Sequence, residues 1–503
     1  MLLWFVIAYW IVSVGIGLYA ATRVHNARDF AIAGRGLPFY MVTATVFATW
    51  FGSETVLGIP ATFLKEGLHG VVADPFGASM CLILVGLFFA APLYRMNLLT
   101  IGDYYRNKFG RKVEVLTTLA IVISYLGWVG AQITALGLVF NVVSNGEISR
   151  TAGMWTGSIT ILIYTFFGGM WAVAVTDFLQ MIIIVVGMLF IGGEISAQVG
   201  GVGVVVDHAM QAGKFDFWPK PELKEVIGFA AAWMTMMFGS IPQQDVFQRV
   251  QSSRTERIAV WGAVLGGVLY FLFAFVPMFL AYSATLIDPA LVSGLIDADP
   301  QLILPKLVMQ HAPLFAQVMF FGALLSAIKS CASATLLAPS VTFSENIIKP
   351  MVGHRLSDRS LLHLMRGVTV TFTILVTLYA MNSKASIFKM VENAYQITLV
   401  AAFIPLLAGI FWKRATPQGA LSAIFCGLSV WLSMLIFGPV DPVVPAQFAG
   451  LLASAFGMLA GSLLPNVVAK ALPQEPEHAA LHHQAASHTG HVAGHPHPHQ
   501  PHR

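Results

Sequence analysis

The sequence predicts an all-α polytopic membrane protein with about 13 transmembrane helices, built as two inverted five-helix repeats that each open on a broken helix. Three observations predict this. First, the 503 residues are 57% apolar and only 10% charged. Runs of about 20 apolar residues, the length that spans a bilayer, recur from one end of the chain to the other. Second, two such runs are interrupted by Gly, Pro and polar side chains. One interruption is Gly52-Ser53-Glu54 with Gly58 and Pro60; the other is Gly239-Ser240-Ile241-Pro242-Gln243-Gln244. Third, the second interruption falls in the fifth span after the first. Interrupted helices at matching places in two halves point to an inverted-repeat transporter with its site at mid-membrane.

The elements follow in order. Residues 3–22 form a first helix rather than a signal peptide, because the run is too long and no basic residue precedes it. Further spans are expected near 40–64, 76–98, 118–143, 153–168, 172–195, 226–247, 258–284, 311–347, 364–382, 391–412, 418–437 and 445–465. The run at 311–347 exceeds one span, so part of it lies outside the hydrocarbon. With the N-terminus outside, 19 Lys and Arg fall on cytoplasmic segments and 8 on external ones, with Lys329 left inside a helix. That bias favours an N-out, C-in topology. The external loops near 196–224 and 285–310 are long and mildly amphipathic, open to forming short surface helices or gates.

The chain thus divides into an extra helix (1–25), a first repeat (26–223), a second repeat (224–414), two C-terminal helices (415–468) and a tail (469–503). The tail is Pro- and His-rich, too polar to pack, and reads as disordered and cytoplasmic. Its histidines, among them His482, His483, His495, His497 and His499, suit weak binding of zinc, nickel or copper. Cys81, Cys331 and Cys426 all sit in apolar runs without ligand spacing, so no disulfide framework is implied.

The first interruption carries the chemistry. A carboxylate at membrane depth is costly, which makes Glu54 a functional residue by default. A broken helix also frees backbone carbonyls, tolerated in a membrane only where they face protein or a wet cavity. Such carbonyls beside polar side chains can replace the hydration shell of a small cation. The stretch Ala48 to Glu54 therefore reads as half of a binding site.

Several ordered motifs carry a resemblance. They are Ala33-Gly34-Arg35-Gly36-Leu37-Pro38; Ile101-Gly102-Asp103-Tyr104-Tyr105 with Phe109-Gly110; Tyr164 to Val173 with its double glycine, continuing through Thr176-Asp177 to Gln180; Pro242-Gln243-Gln244 with Gln248-Arg249; and Pro405 to Gly409 followed by Phe411 to Thr416. In this order, across residues 28 to 420, they resemble the sodium:solute symporter family, whose members have a LeuT-type fold with added helices. Gly168-Gly169 suits a tight turn between two helices. Asp177 and Gln180 share a helix face. The bland reading of Asp177 is a helix-start acid favoured by the dipole; the resemblance implies a carboxylate on the ion's exit path.

The resemblance also implies a sodium site made of carbonyls at Ala48 and Phe51 and of Ala327, Ser330 and Cys331 on a later helix. The last three lie at i, i+3 and i+4, on one face. Two departures stand out. Cys331 occupies a position where a hydroxyl is usual, and a neutral thiol is a poor ligand for a hard cation. Lys329 lies mid-membrane, so the rival to sodium coupling is proton coupling or ion-independent transport, with the ammonium in place of the ion. At about 100° per residue Lys329 points roughly 150° away from the ion-site face. It is then free to pair with Asp177 or Glu54, or to snorkel to the interface.

For the solute, the family's arrangement implies Trp50, Ser53, Glu54, Trp128, Gln132, Gln243, Gln244, Tyr395 and Gln396 as lining residues. Trp50 and Trp128 suit two walls of an aromatic cage for a quaternary ammonium, but Gln243 stands where a third aromatic is usual in the choline branch. The same tryptophans also read as packing residues, and the glutamines as helix-to-helix contacts. An amino acid or organic cation is favoured over a sugar. Sodium is the one small cofactor expected, with no organic cofactor, no nucleic-acid partner, and a bacterial inner membrane as the location. A sensor acting with a separate partner is a further alternative. An enzyme is excluded by the lack of any nucleophile, His/Asp or metal motif in the spans. No feature speaks to oligomeric state.

Overall fold

A computed structural model describes residues 1–353 and 356–468. The histidine-rich tail, with His482, His483, His495, His497 and His499, lies outside the described residues. Among the described residues the regular structure is helical, with one isolated bridge between Leu37 and Ser253. In chain order we label α1 (Leu2–Ala20), α2 (Phe39–Trp50), α3 (Ile59–Glu66), α4 (Leu68–Arg95), α5 (Ile101–Phe109), α6 (Arg111–Val143), α7 (Arg150–Val199), α8 (Leu223–Gly239), α9 (Gln244–Ser252), α10 (Glu256–Ile287), α11 (Leu314–Phe343), α12 (Asp358–Asn382), α13 (Ile387–Phe411), α14 (Pro417–Phe437) and α15 (Ala446–Leu463).

Among the described residues, ten helices are long and apolar enough to cross a membrane, or eleven when the bent pair α8 and α9 forms one span. Their starts are set by local chemistry: the side chains of Thr255, Ser357, Ser386 and Thr416 each accept a backbone N–H of the first turn, which supplies an otherwise orphaned donor with a partner. Thr100 and Asp103 form a reciprocal capping box at α5.

Helix α7 runs for 50 residues. A straight helix of that length would be about 75 Å, more than twice the ~30 Å of a bilayer's hydrocarbon. It is not straight. Gly169 turns the chain with φ 49° and ψ −137°, and a Cβ there would lie 2.5 Å from the Phe30 carbonyl oxygen. The double glycine is thus a turn, as its sequence suggests.

The two interrupted elements are clasped together. Leu37, just before α2, donates its N–H to the carbonyl of Ser252, the last residue of α9, at 3.0 Å, and its carbonyl accepts from Arg254 N, just after α9, at 2.9 Å. Helix α9 is polar yet buried along its whole length, so its side chains must find partners inside the bundle. The loops expected near 196–224 and 285–310 contain short helices at Val202–Gln211, Pro289–Leu295 and Ile303–His311. Helices α14 and α15 pack on each other, and Gln418 Nε2 donates to Gly461 O at 3.0 Å.

Candidate ion and solute site

Helix α2 ends at Trp50, and at Phe51 the backbone departs from helical geometry (φ −84°, ψ 74°) before resuming through Glu54–Gly58 into α3. Gly52 explains why the break sits here. A Cβ on Gly52 would lie 2.6 Å from Glu54 Oε2 and 2.9 Å from Cys331 Cβ and Sγ. Only glycine lets α11 come this close.

That approach gathers the candidate ion ligands. Ser330 Oγ lies 2.6 Å from Ala48 O and 2.9 Å from Ala327 O. One hydroxyl carries one proton, so it serves only one of these carbonyls at a time. A cation between them would instead engage lone pairs on all three oxygens. Phe51 forms the corner of the break, and the Cys331 thiol lies against Gly52. The cluster offers hard oxygen donors of the kind sodium prefers, with one soft atom at its edge.

Asp177 approaches from α7. Its Oδ2 accepts from Thr45 Oγ1 at 2.7 Å and Thr49 Oγ1 at 3.4 Å, whereas Oδ1 is buried without a partner. Thr49 is next to Ala48 in the chain, so this carboxylate stands beside the ion-ligand turn of α2. Arg249 Nη2 donates to the same Thr49 hydroxyl at 2.9 Å. Gln180 is buried with both amide atoms unpartnered.

Lys329 points elsewhere. Its side chain is fully buried, and Nζ lies 4.5 Å from the ring centroid of Trp10, 5.3 Å from Tyr164 and 5.8 Å from Tyr9. It joins neither Asp177 nor Glu54 and does not snorkel; the aromatic faces of α1 and α7 surround it instead.

On the other side of the break the aromatic residues meet. Trp50 stacks on Tyr395 (centroids 6.4 Å apart, 13° between planes) and meets Trp128 edge-on at 5.5 Å, while Trp128 and Tyr395 are also 5.5 Å apart. Each ring is at most 2% exposed, so this is a closed cluster. Tyr395 supplies the third aromatic that the sequence lacks at Gln243. Glu54 accepts from Gln132 Nε2 at 2.7 Å and Trp128 Nε1 at 3.3 Å, and Gln132 Oε1 accepts from Ser53 N at 2.8 Å. Ser53 Oγ is buried without a partner.

Three glutamines are engaged by neighbouring helices. Gln243 Nε2 donates to Ser124 Oγ (3.0 Å) and Thr398 Oγ1 (3.3 Å). Gln244 Oε1 accepts from Ile101 N at the start of α5 (2.8 Å). Gln396 Oε1 accepts from Trp431 Nε1 of α14 (3.1 Å).

Sequence reasoning overlooked Asp245. Its Oδ1 accepts from Tyr125 OH at 2.5 Å and its Oδ2 from Trp50 Nε1 at 3.2 Å, and it is fully buried. The signal was present: a carboxylate inside the second interrupted span, to which the reasoning used for Glu54 applies equally. Tyr125 stacks on Trp128 at 6.1 Å and extends the cluster. A polar cavity of about 550 Å³, lined by Thr62, Lys65, Arg150, Asp299 and Lys389, reaches Gly58, one turn beyond Glu54. Among the described residues, no three His, Cys, Asp or Glu gather into a metal cluster.

A sequence model of the sodium:solute symporter family matches residues 30–427. The human high affinity choline transporter 1 is 26% identical over 471 residues, covering 86% of this chain and 78% of its own. The human sodium/iodide cotransporter is 27% identical (90% and 74% covered), and the high-affinity proline transporter PutP of Bacillus subtilis 25% (88% and 94%). A solved substrate-bound, outward-open structure of a Na+-coupled sialic acid symporter superposes with a TM-score of 0.79 at 20% identity, covering 94% of this chain and 99% of the other.

Proposed function

Because the chain belongs to the sodium:solute symporter family, a family of membrane transporters rather than enzymes, we propose that it carries an organic cation across the membrane together with sodium by alternating access. The single observation that supports this solute class is the closed triangle of Trp50, Trp128 and Tyr395 with two buried carboxylates, Asp245 and Glu54, hydrogen-bonded to two of its indoles. Aromatic faces attract a desolvated ammonium, and the carboxylates balance its charge. A sugar would instead need many donors and acceptors turned inward. The choline transporters among the relatives agree with this class.

In this reading the carbonyls of Ala48, Phe51 and Ala327 with Ser330 Oγ hold sodium, Cys331 is a weak edge of that site, and Asp177 lies on the ion's exit path. Glu54, Ser53 and Gln132 fix the break against α6. Gln243, Gln244 and Gln396 bind helices rather than solute. A zwitterionic amino acid is the second reading. It is favoured by the unpartnered Ser53 hydroxyl at the resumed helix start, where a carboxylate would meet a positive dipole end.

The topology we propose keeps thirteen spans, counting the two arms of α7 separately and α2 with α3 as one. The N-terminus is outside, the C-terminus inside, and the plasma membrane of a bacterium is the location. The division into 1–25, 26–223, 224–414, 415–468 and 469–503 belongs to the same proposal, as does weak metal binding by the tail.

Uptake into proteoliposomes from a panel of choline compounds, amino acids, monocarboxylates and sugars, with and without an inward sodium gradient, tests the reading. Sodium-driven accumulation of a quaternary or protonated amine is expected. Accumulation of a sugar or monocarboxylate that no amine competes for would overturn the solute class.

A further inference from the structure

Helix α11 presents two faces with opposite tasks. Ala327 and Ser330 face the break in α2, and Lys329 lies between them in sequence yet faces α1. Nothing in the ion or solute site uses it. Its surroundings are nonetheless built: Trp10 and Tyr9 come from α1, a helix outside both repeats, and Tyr164 from the first arm of α7. Tyr9 OH is hydrogen-bonded to Ser326 Oγ, and Tyr164 OH donates to the Lys329 carbonyl at 3.5 Å. Among the described residues no carboxylate pairs with it, and Asp177 is engaged by Thr45 and Thr49. The amine is buried with no hydrogen-bond acceptor, and ring faces are what steady its charged form, an interaction that strengthens on desolvation.

We propose that Lys329 is a positioning residue for coupling: an internal amine, caged by α1, whose positive charge raises the sodium concentration needed to fill the site on the opposite face of α11. The inference rests on the sodium site proposed above. Two unit charges separated by one helix width, on the order of 10 Å, repel at a partly desolvated position by enough to change ion affinity roughly tenfold. In this arrangement α1, which contributes nothing to the site directly, sets the ion's working range through the ammonium it holds.

The test is sodium activation of uptake by the full-length protein in proteoliposomes, with sodium-dependent thermal stabilisation in detergent as a second readout. Lys329→Met, which keeps the apolar stem and removes the charge, is expected to lower half-saturating sodium roughly tenfold while the solute KM at saturating sodium stays within about twofold. Lys329→Arg, which keeps the charge, is expected to restore the wild-type sodium dependence. Trp10→Leu should shift it in the same direction as Lys329→Met, by less. If Lys329→Met and Lys329→Arg shift sodium activation equally, the effect is packing and the proposal fails. If Lys329→Met leaves it unchanged while Ser330→Ala raises it, the proposal fails and the sodium site stands. If neither variant changes it, both ideas fall.

Discussion

The two interrupted helices differ in what their breaks leave free. At the first, between Trp50 and Glu54, one serine hydroxyl lies within reach of two carbonyls, Ala48 and Ala327, and a thiol borders the gap. At the second, α8 and α9 meet at 44°; Gly239 O accepts from Thr398 Oγ1 at 2.7 Å and Gln243 is held by Ser124 and Thr398, while Ser240 Oγ and Gln244 Nε2 are buried without a partner. In the proposed reading the first break admits the ion, and the second, held through Gly239 and Gln243, supplies a wall for the solute. Trp50 joins them, since it ends α2 and donates across to Asp245 at the start of α9.

The largest way to break that link is Asp245→Asn. It keeps the shape and removes the charge facing Trp50 and Tyr125. A buried charge engaged by two donors contributes several kcal/mol to its partners' order. A fall in uptake kcat/KM on the order of a hundredfold is expected, read from initial rates at saturating sodium, with half-saturating sodium moving far less. A loss confined to sodium activation would instead assign Asp245 to the ion.

A smaller effect sharpens the first break. Cys331→Ser puts a hydroxyl where the thiol borders Gly52. Oxygen serves sodium better than a neutral sulfur, and one added charge–dipole contact of about 1 kcal/mol lowers half-saturating sodium about fivefold. The measurement is sodium activation at fixed solute. A rise in half-saturating sodium would mean that Cys331 serves packing alone.

Much of this fold was legible in the sequence because bilayers impose simple rules. Apolar length marked the spans, Gly and Pro marked both breaks, and Gly168-Gly169 marked the turn that folds α7. The i, i+3, i+4 spacing of Ala327, Ser330 and Cys331 put three residues on one face without any knowledge of their partner. What stayed hidden depends on contacts between distant residues. Trp50 and Asp245 are 195 positions apart, and neither residue announces the other. The cage around Lys329 draws on Tyr9 and Trp10 at the opposite end of the chain, so geometry could say which way the side chain points but not what it meets. Likewise Tyr395 is expected near the solute, but its stacking on Trp50 from α13 follows from no spacing rule.

The smallest expected effect comes from the neighbour of that tyrosine. Gln396 follows Tyr395 in the chain, but on a helix successive residues point about 100° apart, and its amide is engaged by Trp431 on α14 and by Asn393. Gln396→Ala removes one partly buried hydrogen bond, about 1 kcal/mol, from the seam between α13 and α14. Solute KM within about twofold of wild type, with a melting temperature lower by a degree or two, is the expected outcome. A tenfold rise in KM at unchanged melting temperature would move Gln396 into the solute site and shift the wall of the second break outward from Tyr395.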